Sequence, residues 1–253
     1  MSVEMINNSF STLSKHYSIL STLITEQMEE ITKNITNSLS VFAKTHGRIS
    51  REIIARNKMA DLQIVFTEPP MDELTQELCK ENADVESLVL DFYSTNNDER
   101  LYDLTKRCKD SERLTNSLDF FEEILGASNR GHYHLACVGL FAILDGILAD
   151  ATGIMKKPAF ICRLDELKKR IDENLDLLEN DLVLFSIVDA IEKSKNKFFN
   201  GPYFDENEPV ETLNRNWLQH GRTHRSYTKL DFIKVLLLLD AVIILADTGE
   251  AEE

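Results

Sequence analysis

The stretch that decides the fold is "HYHLACVGLFAILDGILADA", residues 132–151, where Asp145 is the single charged residue between Leu135 and Leu148. A run this long that is apolar on nearly every side predicts a helix with neighbours all round it, at the centre of a domain. A second apolar run, "KVLLLLDAVIIL" at residues 234–245, is interrupted only by Asp240. Glycine and proline number 9 and 5 in 253 residues, so helix breakers are scarce. Together these features predict an all-α fold.

The elements around the first run are also predicted to be helices. Ser111 can cap a helix that Gly126 closes, and Thr228 with Asp231 resembles a capping pair for the last helix. Pro209 suits the first turn of a helix that ends near Gly221. The predicted helices cover residues 111–126, 132–151, 164–171, 181–199, 209–221 and 228–247.

The first 109 residues are predicted to form a separate helical region. Apolar residues recur at spacings of three and four from Leu13 to Phe42, which predicts one long amphipathic helix. That helix either packs on its own domain or serves as a self-association arm. Residues 61–67, "DLQIVFT", form either a short strand or extended chain, two short helices follow, and residues 95–100 form a turn. We therefore expect an N-terminal region for dimerisation, sensing or regulation over residues 1–109, and a helical domain over residues 110–253.

The overall charge and the cysteines restrict the function classes. A formal charge of -15 argues against general non-specific coating of DNA. The four cysteines contain no close pair, which argues against a zinc knuckle or a dense disulfide framework and favours the cytoplasm. The N-terminus lacks a basic region followed by an apolar run, and the segment Val235–Ala246 is too short for a bilayer. A membrane is therefore not an expected partner.

Positive charge is concentrated in one segment of this acidic chain. Residues 213–234 hold five arginines and lysines against the single carboxylate of Asp231, a local charge of +4. A concentrated basic patch on an acidic body is suited to holding one phosphate path without attracting every polyanion.

The same segment contains the pattern Arg-Asn-x-x-x-His, formed by Arg215, Asn216 and His220. Together with "AILDGIL" before it and "KVLLLLDAVIIL" after it, this pattern resembles the HEPN superfamily (higher eukaryotes and prokaryotes nucleotide-binding) over residues 110–247. The resemblance implies a helical domain that dimerises and brings two such motifs together, and it implies ribonuclease activity in prokaryotic or phage-related defence. Some HEPN proteins carry a modifiable tyrosine two residues after the histidine; Arg222 stands there in this chain.

These residue types suit RNA cleavage without a metal. A histidine can move the protons of the 2′-hydroxyl and of the leaving oxygen, and a guanidinium can offset the charge that builds on the phosphoryl group. We expect His220 to transfer the proton, Arg215 to bind the phosphate, and Asn216 to contact the phosphate or orient the imidazole. Gly221 as helix terminator would place His220 at the negative end of a helix dipole.

Four neighbouring residues are secondary candidates. Arg222, His224 and Arg225 either extend the phosphate track or lie in a solvated loop. Asp145 needs a partner if it is buried; it orients Arg215 or His220, caps a neighbouring helix or forms a dimer contact.

A metal site is not expected. His220 and His224 are four residues apart, but Gly221 argues against a continuous helix between them, and a third ligand is not evident. Trp217 is interpreted as a core residue, with base stacking as the alternative. Cofactors are not expected either.

The predicted function is a metal-independent endoribonuclease of toxin or abortive-infection type that leaves 2′,3′-cyclic phosphate ends. Its expected partners are RNA, a second copy in a homodimer or higher homo-oligomer, and a regulatory protein. The alternative is a non-catalytic HEPN-like helical module that binds RNA, a nucleotide or a protein.

Overall fold

The computed structural model describes residues 47–69, 71–155, 160–172, 182–199 and 212–249. All the regular secondary structure in these ranges is helical, and they contain no strand. This confirms the all-α prediction. The long helix predicted between Leu13 and Phe42 lies outside the described residues. The helices are α1 (Gly47–Asp61), α2 (Asp72–Leu78), α3 (Val85–Asp110), a 3₁₀ helix (Glu112–Ser117), α4 (Leu118–Asn129), α5 (Tyr133–Thr152), α6 (Phe160–Asp172), α7 (Leu182–Phe199), α8 (Arg215–Gln219) and α9 (Lys229–Thr248).

Helices α5 and α9 lie at the centre of the described helices, as their apolar sequences predict. Every residue of α9 from Asp231 to Ile243 is buried, because α3, α5, α6 and α7 all pack against this helix. Helix α5 packs against α9 on one side and against α4 and α6 on others. Complete burial of a large apolar side chain stabilises the fold by roughly 1.5–3 kcal/mol, so these two helices carry a large share of the hydrophobic free energy.

Helix ends follow the predicted capping chemistry in two of three places. The Thr228 hydroxyl accepts from the Asp231 amide at 3.3 Å, and the Asp231 carboxylate accepts from the Thr228 amide at 2.8 Å, which completes a capping box. Ser111 caps the 3₁₀ helix through Arg113 N at 3.2 Å. The prediction that Gly126 ends a helix is wrong: α4 continues to Asn129, because a glycine inside a helix costs only about 1 kcal/mol.

The segment after α1 does not form a strand: residues 62 and 63 are a turn, and residues 64–67 have no regular secondary structure. Residues 64–67 are buried without a sheet partner among the described residues. Their backbone is held by a side chain: the Arg56 guanidinium donates to the carbonyl oxygens of Phe66 at 2.6 Å and Glu68 at 2.5 Å. The strand alternative for residues 61–67 is therefore wrong, since Asp61 still belongs to α1 and the remaining residues form a turn and an irregular segment.

The predicted turn at residues 95–100 appears as a break within α3. Asn96, Asn97 and Asp98 have φ values of 53°, 57° and 65°, in the left-handed region that Asn and Asp tolerate better than most residues. The two halves of α3 are thus separate helical pieces joined at this point.

The chain divides into two compact units, Met1–Ser50 and Arg51–Glu253. Of the first unit the structure describes only residues 47–50. The boundary predicted at residues 109 and 110 falls inside the second unit, where α3 packs along α9 and Lys234 pairs with Glu86 at 2.6 Å.

Helix α5 is also notable for its composition. Among the described residues it is the one helix long and apolar enough to cross a membrane, and 61% of its most apolar window is buried inside the protein.

Candidate functional site

Helix α8 is a five-residue helix that is fixed at both ends. At its start, the Asn214 side chain accepts from the amides of Asn216 at 2.9 Å and Trp217 at 3.3 Å. At its end, Gly221 has a φ of 64°; its amide donates to Leu218 O at 3.1 Å, and the next amide donates to Trp217 O at 3.0 Å. This double hydrogen bond is the Schellman arrangement, and it confirms Gly221 as the terminator. The prediction that this helix begins at Pro209 is wrong: residues 212–214 are not helical, and α8 begins at Arg215 after the cap residue Asn214. Pro209 itself lies outside the described residues.

The two principal candidate residues stand at opposite ends of α8. Arg215 is its first residue, and His220 is the residue directly after its last. Five residues at 1.5 Å each separate them by about 7.5 Å along the helix axis. The His220 side chain is exposed, while Arg215 retains 24% of its side-chain exposure. Both groups therefore reach solvent, from one short and well-defined element.

The surroundings of Arg215 combine an aromatic ring with a carboxylate. Its guanidinium lies over the Phe160 ring, 5.3 Å from the centroid, and its Nη2 is 3.8 Å from Asp145 Oδ2. Burial lowers the pKa of Arg215, the charge of Asp145 opposes this, and the charge of Arg163 adds to it. The guanidinium nevertheless stays cationic at neutral pH, because arginine side chains in proteins do not lose their proton there.

Asp145 contacts Arg215, as one of the three sequence alternatives proposed. Its stronger partner is Arg163, whose Nη1 lies 2.6 Å from Asp145 Oδ1. The Asp145 side chain is 38% exposed, so the carboxylate is not deeply buried. The contact of Arg163 with Asp145 is not predictable from the sequence, because nothing in the local pattern around Arg163 indicates that α6 brings it to α5.

Asn216 is attached to the neighbouring helix. Its Nδ2 donates to Phe199 O at 2.9 Å, at the end of α7. This bond holds α8 against α7 and directs the amide nitrogen toward the protein. A contact of Asn216 with phosphate or with His220 stays a prediction. Trp217 is 5% exposed, which agrees with its interpretation as a core residue.

The net positive charge of residues 213–234 is smaller in the folded protein than in the segment alone, because nearby carboxylates pair with its cations. Arg225 pairs with Asp231 at 2.5 Å, Lys229 with Asp98 at 2.6 Å, and Lys234 pairs with Glu86. Two of these carboxylates come from α3, and Asp145 of α5 lies 3.8 Å from Arg215. The five cations therefore face four carboxylates, and the local charge falls from +4 to +1.

The three secondary candidates between α8 and α9 differ in exposure and in pairing. Arg222 and His224 are exposed on the chain between α8 and α9. The guanidinium of Arg225 also lies 5.0 Å from the centroid of Tyr227, and an RNA contact would have to share it with Asp231.

Metal-ligating side chains do not converge within the described part of the chain: no group of three or more His, Cys, Asp or Glu residues is placed to hold an ion there. A surface cavity of about 500 Å³ lies between α2 and the start of α3, where four carboxylates line it. The predicted site residues do not line this cavity. The candidate site is therefore the exposed surface around α8.

Comparisons of the chain with protein families, with curated proteins and with solved structures found no match.

Proposed function

We propose that this protein is a metal-independent endoribonuclease whose site is built on helix α8. The observation that supports this most is the placement of Arg215 and His220. Both reach solvent at the two ends of one short helix, which a side-chain cap at its start and a Schellman turn at its end hold in place. A guanidinium and an imidazole at a fixed spacing are suited to a phosphodiester.

The chemistry needs only these two kinds of group. The 2′-hydroxyl oxygen attacks the adjacent phosphorus, the bond from phosphorus to the 5′-oxygen breaks, and a 2′,3′-cyclic phosphate and a 5′-hydroxyl result. His220 takes the proton of the 2′-hydroxyl, and a second imidazole or water returns one to the 5′-oxygen. Arg215 stabilises the negative charge that develops on the phosphoryl oxygens.

A homodimer would supply the second imidazole. A two-fold axis close to α8 would place one Arg215–His220 set from each copy in a shared cleft. A role in prokaryotic or phage defence, as a toxin or in abortive infection, follows from the HEPN resemblance of residues 110–247 and is part of the proposal.

The test is cleavage of a broad panel of RNAs in the presence of a chelator. We expect wild type to cut RNA and to leave cyclic phosphate ends, detected by mass spectrometry. His220→Ala should reduce the rate by about 10² to 10⁴, the usual contribution of acid–base catalysis, and Arg215→Ala should also reduce it strongly. His132→Ala is the matched control, because His132 is exposed at the start of α5 and belongs to no part of the site. Equal activity of all four proteins, or no activity in any, would contradict the proposal.

The second candidate is a non-catalytic helical module that binds RNA, a nucleotide or a protein. The bond from Asn216 to Phe199 and the pairing of Arg215 with Asp145 favour it, because both give motif residues a structural task. RNA binding without cleavage by wild type would select this candidate.

A further inference from the structure

Two guanidinium groups from different helices meet at one carboxylate beside α8. Arg163 Nη1 lies 2.6 Å from Asp145 Oδ1, and Arg215 Nη2 lies 3.8 Å from Asp145 Oδ2. Because both groups contact the same carboxylate, they are close to each other. The charge of Arg163 accordingly lowers the pKa of Arg215. Two cations and one anion leave this cluster with a net charge of +1.

Arg215 has donors that its protein contacts do not use. The 3.8 Å between Arg215 Nη2 and Asp145 Oδ2 is short enough for an ion pair but too long for a hydrogen bond. Its Nε is buried and has no hydrogen-bond partner among the residues described. A guanidinium carries five N–H donors, and an unsatisfied donor is costly in a partly desolvated place. Because Nε is closed to solvent, an incoming anion would accept from the exposed part of the guanidinium, where the 3.8 Å separation leaves Nη2 without a hydrogen bond to Asp145.

Both guanidiniums are held in position before any ligand arrives. Arg163 Nε donates to Ile154 O at 3.0 Å. The Phe160 ring under Arg215 is itself stacked on Phe199, with centroids 3.9 Å apart and planes at 21°. Groups that are already ordered lose little entropy on binding, which favours affinity.

We propose that Arg163 and Arg215 together bind one phosphate of single-stranded RNA, with Asp145 holding the two guanidiniums side by side. This inference rests on the proposed function and adds Arg163, which lies outside the Arg-x4-His motif, to its site. The net charge of +1 matches the single charge of a phosphodiester, and arginine pairs with phosphate oxygens through parallel N–H bonds. Asp145 is a positioning residue, because it offsets the mutual repulsion of the two cations.

The experiment measures binding separately from cleavage. The probe is a fluorescent single-stranded RNA oligonucleotide with 2′-O-methyl riboses, which lacks the attacking hydroxyl and cannot be cut. Affinity is measured by anisotropy over a range of salt concentrations, at a temperature where thermal unfolding shows every variant to be folded. The proteins are wild type, Arg163→Gln, Arg163→Lys and Arg170→Gln. Arg170 is the control, because it lies on the same helix and donates to the backbone oxygens of Ala151 and Thr152.

Arg163→Gln should bind about tenfold more weakly at low salt, and the slope of log affinity against log salt should fall by about 0.7, the value for one lost phosphate contact on a single strand. Arg163→Lys should keep the slope, and Arg170→Gln should match wild type. A structural role for Arg163 would lower thermal stability and leave the slope unchanged.

The results separate this inference from the proposed function. If wild type cuts ordinary RNA and Arg163→Gln shows the wild-type affinity and slope, the two-arginine site is refuted and the nuclease stands. If wild type binds the probe with the expected slopes and cuts nothing, the two-arginine site stands and the nuclease is refuted. If wild type does not bind the probe, the two-arginine site is refuted.

Discussion

Asp240 is a carboxylate in the middle of the most buried helix, with 3% exposure. It accepts from Thr67 Oγ1 at 2.6 Å and from Arg107 Nη2 at 3.1 Å. Arg107 also donates two N–H groups to Glu68, at 2.9 and 3.2 Å. Burial opposes the charge of Arg107, but Glu68 and Asp240 outweigh that effect and raise its pKa. This network connects the irregular segment after α1 to α3 and α9.

We expect Asp240→Asn to lower the free energy of unfolding by about 1–3 kcal/mol, because it weakens hydrogen bonds of buried groups that stay in place. Urea unfolding measures the change. Asp247→Asn on the same helix is the control: Asp247 is 54% exposed beside Arg113, and such a surface pair contributes less than about 1 kcal/mol. A loss at Asp240 no larger than the loss at Asp247 would show that the network adds little stability.

The four cysteines should differ sharply in reactivity. Burial raises the pKa of the Cys108 and Cys137 thiols well above the ordinary value, and it raises the pKa of the half-buried Cys79 thiol as well. Cys162 is exposed. Since the thiolate is the reactive form, we expect a disulfide reagent to modify Cys162 first in the native protein. Cys162→Ser should abolish the fast phase, and rapid modification of Cys108 or Cys137 without denaturant would contradict their burial.

At the scale of elements, the contact between α4 and α5 depends on a glycine. A Cβ added at Gly139 would lie 2.5 Å from Ile124 Cγ1 and 2.7 Å from its Cδ1, while one added at Gly146 meets nothing within 4 Å. We expect Gly139→Ala to destabilise the protein, because overpacking costs about 1–3 kcal/mol and the gain in helix propensity is about 1 kcal/mol. Gly146→Ala should stabilise it by up to about 1 kcal/mol. Thermal unfolding of both variants tests the pair, and changes of the same sign would contradict this packing.

The two central helices could be predicted from local pattern alone. The bounds expected for the helices at residues 132–151 and 228–247 differ from α5 and α9 by one residue at each end. Continuous apolar runs and the Thr228 capping box act within a few residues, so sequence reveals them. The predicted end of α4 at Gly126 is wrong, because the packing of that helix on α5 outweighs the weak tendency of glycine to end a helix.

At the scale of the whole molecule, the candidate site was only partly predictable. Arg215, His220 and Gly221 lie in one short segment, and their local arrangement follows from spacing. The carboxylates that neutralise Lys229 and Lys234 come from α3, and Arg163 comes from α6. Such contacts depend on how distant helices pack, which a local pattern does not contain.

One face of α5 stays exposed although the helix is central. Leu135 is 62% exposed, Ala142 and Gly146 are also exposed, and Val138 is half-buried; together they form one line of apolar positions spaced by three or four residues. Asp145 lies on the same line and contacts Arg215. An apolar surface next to the candidate site is a suitable place for a second copy, because a two-fold axis there would bring the two α8 helices together.

We therefore expect wild type to elute with a mass near twice the 29.0 kDa of the chain in light-scattering chromatography. Ala142→Glu should give a monomer, because two like charges would face each other in an apolar contact, and it should lose RNA cleavage while keeping its helical circular dichroism. Tyr102→Glu is the control, since Tyr102 is 66% exposed on α3. A monomeric wild type would refute the dimer outright. A dimer that persists in Ala142→Glu would show that the copies meet elsewhere, and the second imidazole would then need another source.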